Sequence, residues 1–301
     1  PFSFAAICGI LVTARQRRIP RPDPRRKRKA APTYMMPSIL YSDMDGTLIS
    51  EGAISPENLD ALRALTAAGG DFSIATGRSE EVARPYLGGL PLTLPAILYN
   101  GAAVYDYKTE SFLYKACLKA DTVACLVETA LNRYPEVCVQ AFTGGRTRML
   151  NPNGLPDPYV TREKQPTRPS TLAEALADGC FKLLFYGDSA RLHDLERVFL
   201  VEAPGSFVST YSASFYLEIL PCRATKGDAL AWLAAYLNKP REAFAAIGDY
   251  DNDVTMIRFA GLGAAPSDAQ PCAREAADVV VASHRDHAVA DLVRRYLLPR
   301  T

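Results

Sequence analysis

From Ser38 onward, short apolar runs alternate with segments whose apolar residues recur at helical spacing. Ser38 to Asp43 reads as a buried strand that ends in acidic residues. Ser55-Pro56 then supplies an N-cap and a first-turn proline, and Leu59, Leu62 and Leu65 line a helix that stops at Gly69-Gly70. Asp71 to Ala75 predicts a second strand, followed by Thr76-Gly77-Arg78 and a helix through about Tyr86. Pro95 to Tyr99 predicts a third strand leading into Asn100-Gly101. Strands and helices alternating at this spacing predict an α/β fold with a doubly wound, Rossmann-like parallel sheet.

The middle of the chain has another texture. Val123, Leu126, Val127, Ala130 and Leu131 form one helix face, whereas Val137 to Phe142, Phe181 to Tyr186, Phe207 to Tyr211 and Phe215 to Leu220 read as strands. Gly144-Gly145 and Asn151 to Pro158 read as turns or loops. After this section the parallel rhythm resumes. Lys226 opens a helix carrying Leu230, Leu233 and Leu237, and Phe244 to Ile247 is a strand ending at Gly248-Asp249. A helix then runs through about Phe259, Asp278 to Val281 is expected to be the last buried strand, and Val289 to Leu297 a closing helix. The expected organisation is an extension over 1–34, a core in two parts over 35–111 and 219–301, and an inserted α+β cap over 112–218.

Charge changes this picture at one end. Residues 1–34 hold nine Lys or Arg and a single acid, Asp23, so the remainder carries 25 basic against 32 acidic residues, a net −7. An acidic body argues against a broad nucleic-acid surface and leaves room for a small basic pocket. Pro1 to Ala14 is apolar and Arg15 to Lys29 basic and proline-rich, so the charges follow the apolar stretch, the reverse of a secretory signal. An organelle transit peptide suits the arginine content better. The simplest expectation is a disordered extension, with the working protein beginning near Met35 or Met36. The seven cysteines form no C-x-x-C pair and are odd in number, which points to reduced thiols and a cytoplasmic setting. No apolar run reaches the roughly 18 residues of a membrane helix.

The candidate chemistry sits where the predicted strands end. Asp43 and Asp45 follow the first strand, with Gly46-Thr47 next; Thr76 follows the second; Lys226 starts a helix; Asp249, Asn252 and Asp253 follow the Phe244 to Ile247 strand. Ligands of open parallel sheets bind beyond the carboxyl ends of the strands, so these groups are expected to converge. Clustered carboxylates repel unless a cation joins them, and hard oxygen donors suit Mg²⁺, which commonly bridges to phosphate. An Asp can attack phosphorus to form an aspartyl-phosphate, and an acid two residues on can protonate the leaving alkoxide and later activate water. Thr76 and Lys226 supply donors to phosphoryl oxygens, and Gly46 permits close backbone approach.

Asp43-Met44-Asp45-Gly46-Thr47, Thr76, Lys226 and Gly248-Asp249-Tyr250-Asp251-Asn252-Asp253 together resemble the four motifs of haloacid dehalogenase superfamily phosphatases, over about residues 38 to 298. Their order, and the insertion between the second and third motifs, resemble the Cof-type branch with its large α/β cap. The resemblance implies Asp43 as nucleophile and Asp45 as acid/base. It implies Mg²⁺ held by the Asp43 side chain, the Asp45 backbone carbonyl and Asp249, with Asp253 steadying its waters, and phosphate held by Thr76, Lys226 and Asn252. It further implies a small phosphorylated substrate, such as a sugar phosphate or pyridoxal phosphate, with no nucleic-acid or membrane partner. Phosphoryl transfer to another acceptor, and a non-catalytic phospholigand-binding regulator, are the competing functions. The chain departs from the family at Pro266-Ser267-Asp268-Ala269, and lacks a glycine common in the family within Asp286-His287-Ala288-Val289.

Other signals have plainer readings. Gly261-Leu262-Gly263 lacks the third glycine of a dinucleotide loop. Arg146 and Arg148 are expected on a solvated hairpin turn, Asp251 is expected to complement a helix dipole, and the three histidines are expected at the surface.

Overall fold

The computed structural model describes residues 37–298 except 145, 152–153, 159 and 161–166; the extension expected over 1–34 lies outside the described residues. A five-stranded parallel sheet forms the core, in the order Val279–Val281, Leu262–Pro266, Phe244–Ile247, Ile39–Ser42 and Asp71–Ile74. Side chains alternate across its central strands. Leu40, Phe72, Ala245 and Ile247 pack on one face with the helices Pro56–Ala67 and Ala288–Leu292. Ile39, Tyr41, Phe244 and Ala246 pack on the other with the helix Lys226–Tyr236. Both faces are covered, so these strands read as continuous apolar runs. Ser55 caps the first helix by accepting from Asn58 N at 3.2 Å, as Ser55-Pro56 predicts.

Three features depart from the sequence reading. The third predicted strand, Ala96–Leu98, pairs antiparallel with Ala103–Asp106, which in turn pairs with Ser111–Lys115. Only a parallel bridge between Ala75 and Ile97 ties it to the core sheet. The reversal is made by Tyr99, Asn100 and Gly101, whose φ values of 52°, 55° and 104° are all left-handed. Leu262–Pro266 is a buried strand that Gly261-Leu262-Gly263 obscured. Val279–Val281 is a partly exposed edge rather than a buried strand, with Val280 46% exposed.

The middle section is a sheet-rich cap. Its six strands run in the order Thr167–Pro169, Arg146–Met149, Cys138–Thr143, Cys180–Tyr186, Tyr216–Pro221 and Phe207–Ala213, and include all four expected strands. Residue 112 falls inside Ser111–Lys115 and residue 218 inside Tyr216–Pro221. Period-2 alternation gives this sheet two faces. Val139, Ala141, Leu183, Phe185, Leu217 and Ile219 pack on the helices Ala120–Arg133 and Ser189–Glu202. Phe142, Leu184 and Leu220 join the same apolar cluster as core residues such as Tyr99. Arg148 is not on a solvated turn: it lies in the strand Arg146–Met149, buried, with Nε donating to Asp178 Oδ2 at 3.1 Å. The Arg146 side chain lies outside what the structure describes.

Candidate active site

Parallel register sets Ser42 beside both Ile247 and Ile74. The residues that follow, Asp43, Gly248-Asp249 and Ala75-Thr76, therefore emerge from one edge of the sheet. Asp43 N donates to Ile247 O at 2.9 Å, which continues the ladder one residue beyond the strand and seats the carboxylate at that edge. Lys226, first residue of its helix, is held by a capping box in which Thr225 and Asp228 satisfy each other's backbone N–H groups. Its ammonium is completely buried and lies 2.5 Å from Asp43 Oδ1 and 2.6 Å from Asp253 Oδ1. Asp249 accepts from Thr47 Oγ1 at 2.8 Å, and Asp253 accepts from the backbone N–H groups of Asp249 and Tyr250 at 2.9 and 3.1 Å.

One carboxylate oxygen from each of Asp43, Asp249 and Asp253 lies within 4.8 Å of the other two. Burial raises the Asp43 pKa well above the usual carboxylate range; Lys226 opposes this, and the charges of Asp253, Asp249 and Asp45 add to the rise. Asp249 is pushed up to about 7, first by burial and then by Asp253, against the Thr47 hydrogen bond and Lys226. Burial alone would lower Lys226, yet Asp253 and Asp43 hold it above the ordinary lysine value. One ammonium thus leaves the acids under-neutralised. The all-oxygen donor set and this deficit fit a hard divalent cation.

Gly46 closes the cradle. Its φ is +78°, and a Cβ there would lie 2.5 Å from Asp249 Oδ2. Gly46→Ala is therefore expected to add about 1 kcal/mol of backbone strain and to displace Asp249. The rise in melting temperature on adding a divalent cation should fall to near zero, and a rise equal to wild type's would refute this role for Gly46.

Asp45 is half-exposed and gripped from the side by Arg78, whose Nε donates to Oδ2 at 2.8 Å and Nη2 to Oδ1 at 2.7 Å. Arg78 is itself buried and lies over the Tyr86 ring at 4.3 Å. The sequence reading passed over Arg78; its place two residues after Thr76 was the available signal. Thr76 is buried and its Oγ1 accepts from Arg78 N at 3.2 Å.

Asn252 sits beside the site, with its amide nitrogen turned toward Asn100. Its Nδ2 donates to Asn100 Oδ1 at 3.1 Å, and its Oδ1 is buried without a partner. Asp251 lies in the first turn, where it can complement a helix dipole, and also accepts from Thr210 Oγ1 of the cap at 3.0 Å. Of the histidines, His284 pairs with Asp268 at 2.6 Å, and His287 takes a left-handed φ of 64°.

Known proteins resemble this chain over most of its length. The haloacid dehalogenase-like hydrolase family matches residues 40–293. Pyridoxal phosphate phosphatase YbhA of Escherichia coli is 26% identical over 281 residues, covering 88% of this chain and all of YbhA. Endoribonuclease YBEY, chloroplastic, of Arabidopsis thaliana is 30% identical over 86% of the chain, which spans only 46% of that longer protein. The crystal structure of a haloacid dehalogenase-like hydrolase from Bacteroides thetaiotaomicron is 27% identical, with a TM-score of 0.73 over 86% of this chain and 98% of the other.

Proposed function

Because the chain belongs to the haloacid dehalogenase-like hydrolase family, we propose that it is a Mg²⁺-dependent phosphatase of small phosphorylated metabolites, working through an aspartyl-phosphate at Asp43. The observation that carries this reading is the buried Asp43–Lys226–Asp253 group beside Asp249, with Asp45 two residues from the nucleophile.

The chemistry follows from the side chains. Asp43 attacks phosphorus while the bond to the leaving oxygen breaks, and Asp45 gives its proton to the departing alkoxide. Asp45 then takes a proton from water as that water attacks the phosphoryl group, which releases phosphate and frees Asp43. Lys226 holds the nucleophilic carboxylate and donates to phosphoryl oxygens, and Thr76 offers its hydroxyl. Arg78 keeps the Asp45 carboxylate beside the site between turnovers. The side chains of Asp43 and Asp249 and the Asp45 carbonyl, with Asp253 nearby, would hold Mg²⁺, which would supply charge neutralisation for an anion meeting an anion. The six-stranded sheet and its helices act as the cap that closes over this site.

A sugar phosphate or pyridoxal phosphate is the substrate expected; the E. coli relative bears a name of the second kind. The reading is tested by assaying purified protein against a panel of phosphorylated metabolites, with Mg²⁺ and with excess chelator. Phosphate release that stops on chelation and returns with Mg²⁺ is expected; turnover undiminished in chelator would remove the metal from the proposal. Arg78→Ala is expected to slow release from an alkyl phosphate by about tenfold or more, because Asp45 loses its anchor. The loss should be smaller for p-nitrophenyl phosphate, whose leaving group needs no proton. Equal losses on both substrates would show that Arg78 does not act through Asp45.

A further inference from the structure

Two charges stand in the cap strands where apolar residues are expected. Lys182 interrupts the run Cys180–Tyr186 and Glu218 the run Tyr216–Pro221, and each is 2% exposed. Glu218 is directly opposite Leu184 in register, so Lys182, Leu184 and Glu218 share the sheet face that meets the core. Lys182 Nζ lies 2.9 Å from Glu218 Oε2 and donates to Gly77 O, next to Thr76, at 3.0 Å. Glu218 Oε1 accepts from Ser212 Oγ at 2.5 Å, and Oε2 accepts from Asn100 Nδ2.

The geometry points to Lys182 and Glu218 as positioning residues that couple the seating of the cap to the orientation of Asn100 and Asn252 at the active site. Glu218 accepts only, so it fixes which end of the Asn100 amide faces the cap. Asn100 Oδ1 must then face away, and it receives Asn252 Nδ2 at 3.1 Å. That in turn directs Asn252 Oδ1, buried and unpartnered, as an acceptor for a donor that the filled site brings, such as a hydroxyl or a water. The buried pair is costly to desolvate and makes its core contacts only when the cap is down. With the cap lifted, Asn100 loses the acceptor that holds its amide. The left-handed turn at Tyr99–Asn100–Gly101 aims that amide at the cap sheet, so the pair also explains why this turn takes such a shape.

The test is built so that misfolding is not mistaken for loss of coupling. Removing one partner alone leaves a buried charge uncompensated, so the working variant is the double change Lys182→Met with Glu218→Leu, which removes both. Amide hydrogen exchange is followed without substrate at Gly77, Arg78 and Asn100 to Ala102, with the cap strand amides of Leu183 and Phe185 as the control for folding. Exchange at the core loops should rise about tenfold or more while the control amides stay protected. In parallel, kcat for an alkyl phosphate should fall about tenfold with KM changed less than about threefold. Loop exchange within about twofold of wild type would overturn the inference. Faster exchange with unchanged kcat would overturn it too, leaving the pair a structural role only. Loss of protection at Leu183 and Phe185 would likewise overturn it, because the pair would then be needed to hold the cap sheet itself. The kinetic arm rests on the phosphatase reading, whereas the exchange arm does not. A wild-type protein without phosphatase activity would therefore sink that reading and leave the coupling of cap to loop still measured.

Discussion

Asp43→Asn is expected to lower phosphate release from p-nitrophenyl phosphate by at least about 10³-fold while the protein stays folded. Asparagine keeps the shape of the side chain but cannot form the acyl-phosphate bond, and no neighbour can replace it. Asp45 is turned onto Arg78, and Asp249 is tied to Thr47. Stability should be preserved or increased in the absence of metal. The change removes one of three crowded carboxylates and leaves Lys226 its partner at Asp253. Release assays and thermal melts on the same preparation decide the matter, and a folded variant turning over near the wild-type rate would eliminate covalent catalysis by Asp43.

Lys226→Met should produce the largest loss of stability, about 3–5 kcal/mol without metal, because it strips a buried ion cluster of its cation. Methionine fills the space of the lysine stem, so little of the loss comes from a cavity. The deficit has a defined pH dependence. Asp43 and Asp249 have folded-state pKa values raised above the ordinary 3.8, Asp249 to about 7. Such groups bind protons more tightly folded than unfolded, so the stability they confer is present at low pH and is lost as pH rises through the folded value. Without Lys226 the repulsion grows, and the deficit should widen between pH 4 and above pH 7. Urea unfolding across that range, with and without Mg²⁺, measures it. A pH-independent loss below about 1 kcal/mol would show that Lys226 does not hold the carboxylates together.

The site was legible because its parts sit at places where sequence speaks clearly. Asp43 and Asp249 follow apolar runs that read as strands of a covered sheet, Thr76 follows the alternating segment Asp71–Ile74, and Lys226 follows the capping residue Thr225. Strand ends and helix starts are local features, and register does the rest. What escaped was set by contacts distant along the chain. Leu262–Pro266 is too short and alanine-rich to announce itself, and Ala96–Leu98 turned away from the core sheet through left-handed residues that Asn100-Gly101 only hinted at. Arg148 has the composition of a solvated turn, but Asp178 draws it inward. The phosphate role that the family resemblance implies for Asn252 gave no sign of its hydrogen bond to Asn100. Lys182 and Glu218 were visible as charges inside apolar strands, a pattern that asks for a partner but does not say which.

The position of Ile39–Ser42 between Asp71–Ile74 and Phe244–Ile247 also bears on how the enzyme comes into being during translation. The strand that leads to Asp43 gains one neighbour almost at once. Its other neighbour leaves the ribosome roughly 200 residues later, after the whole inserted section. Until then that edge lies open, and Asp249 and Asp253 have not been made. A nascent chain therefore carries no joined group of Asp43, Lys226, Asp249 and Asp253 until the residues through Asp253 have been made.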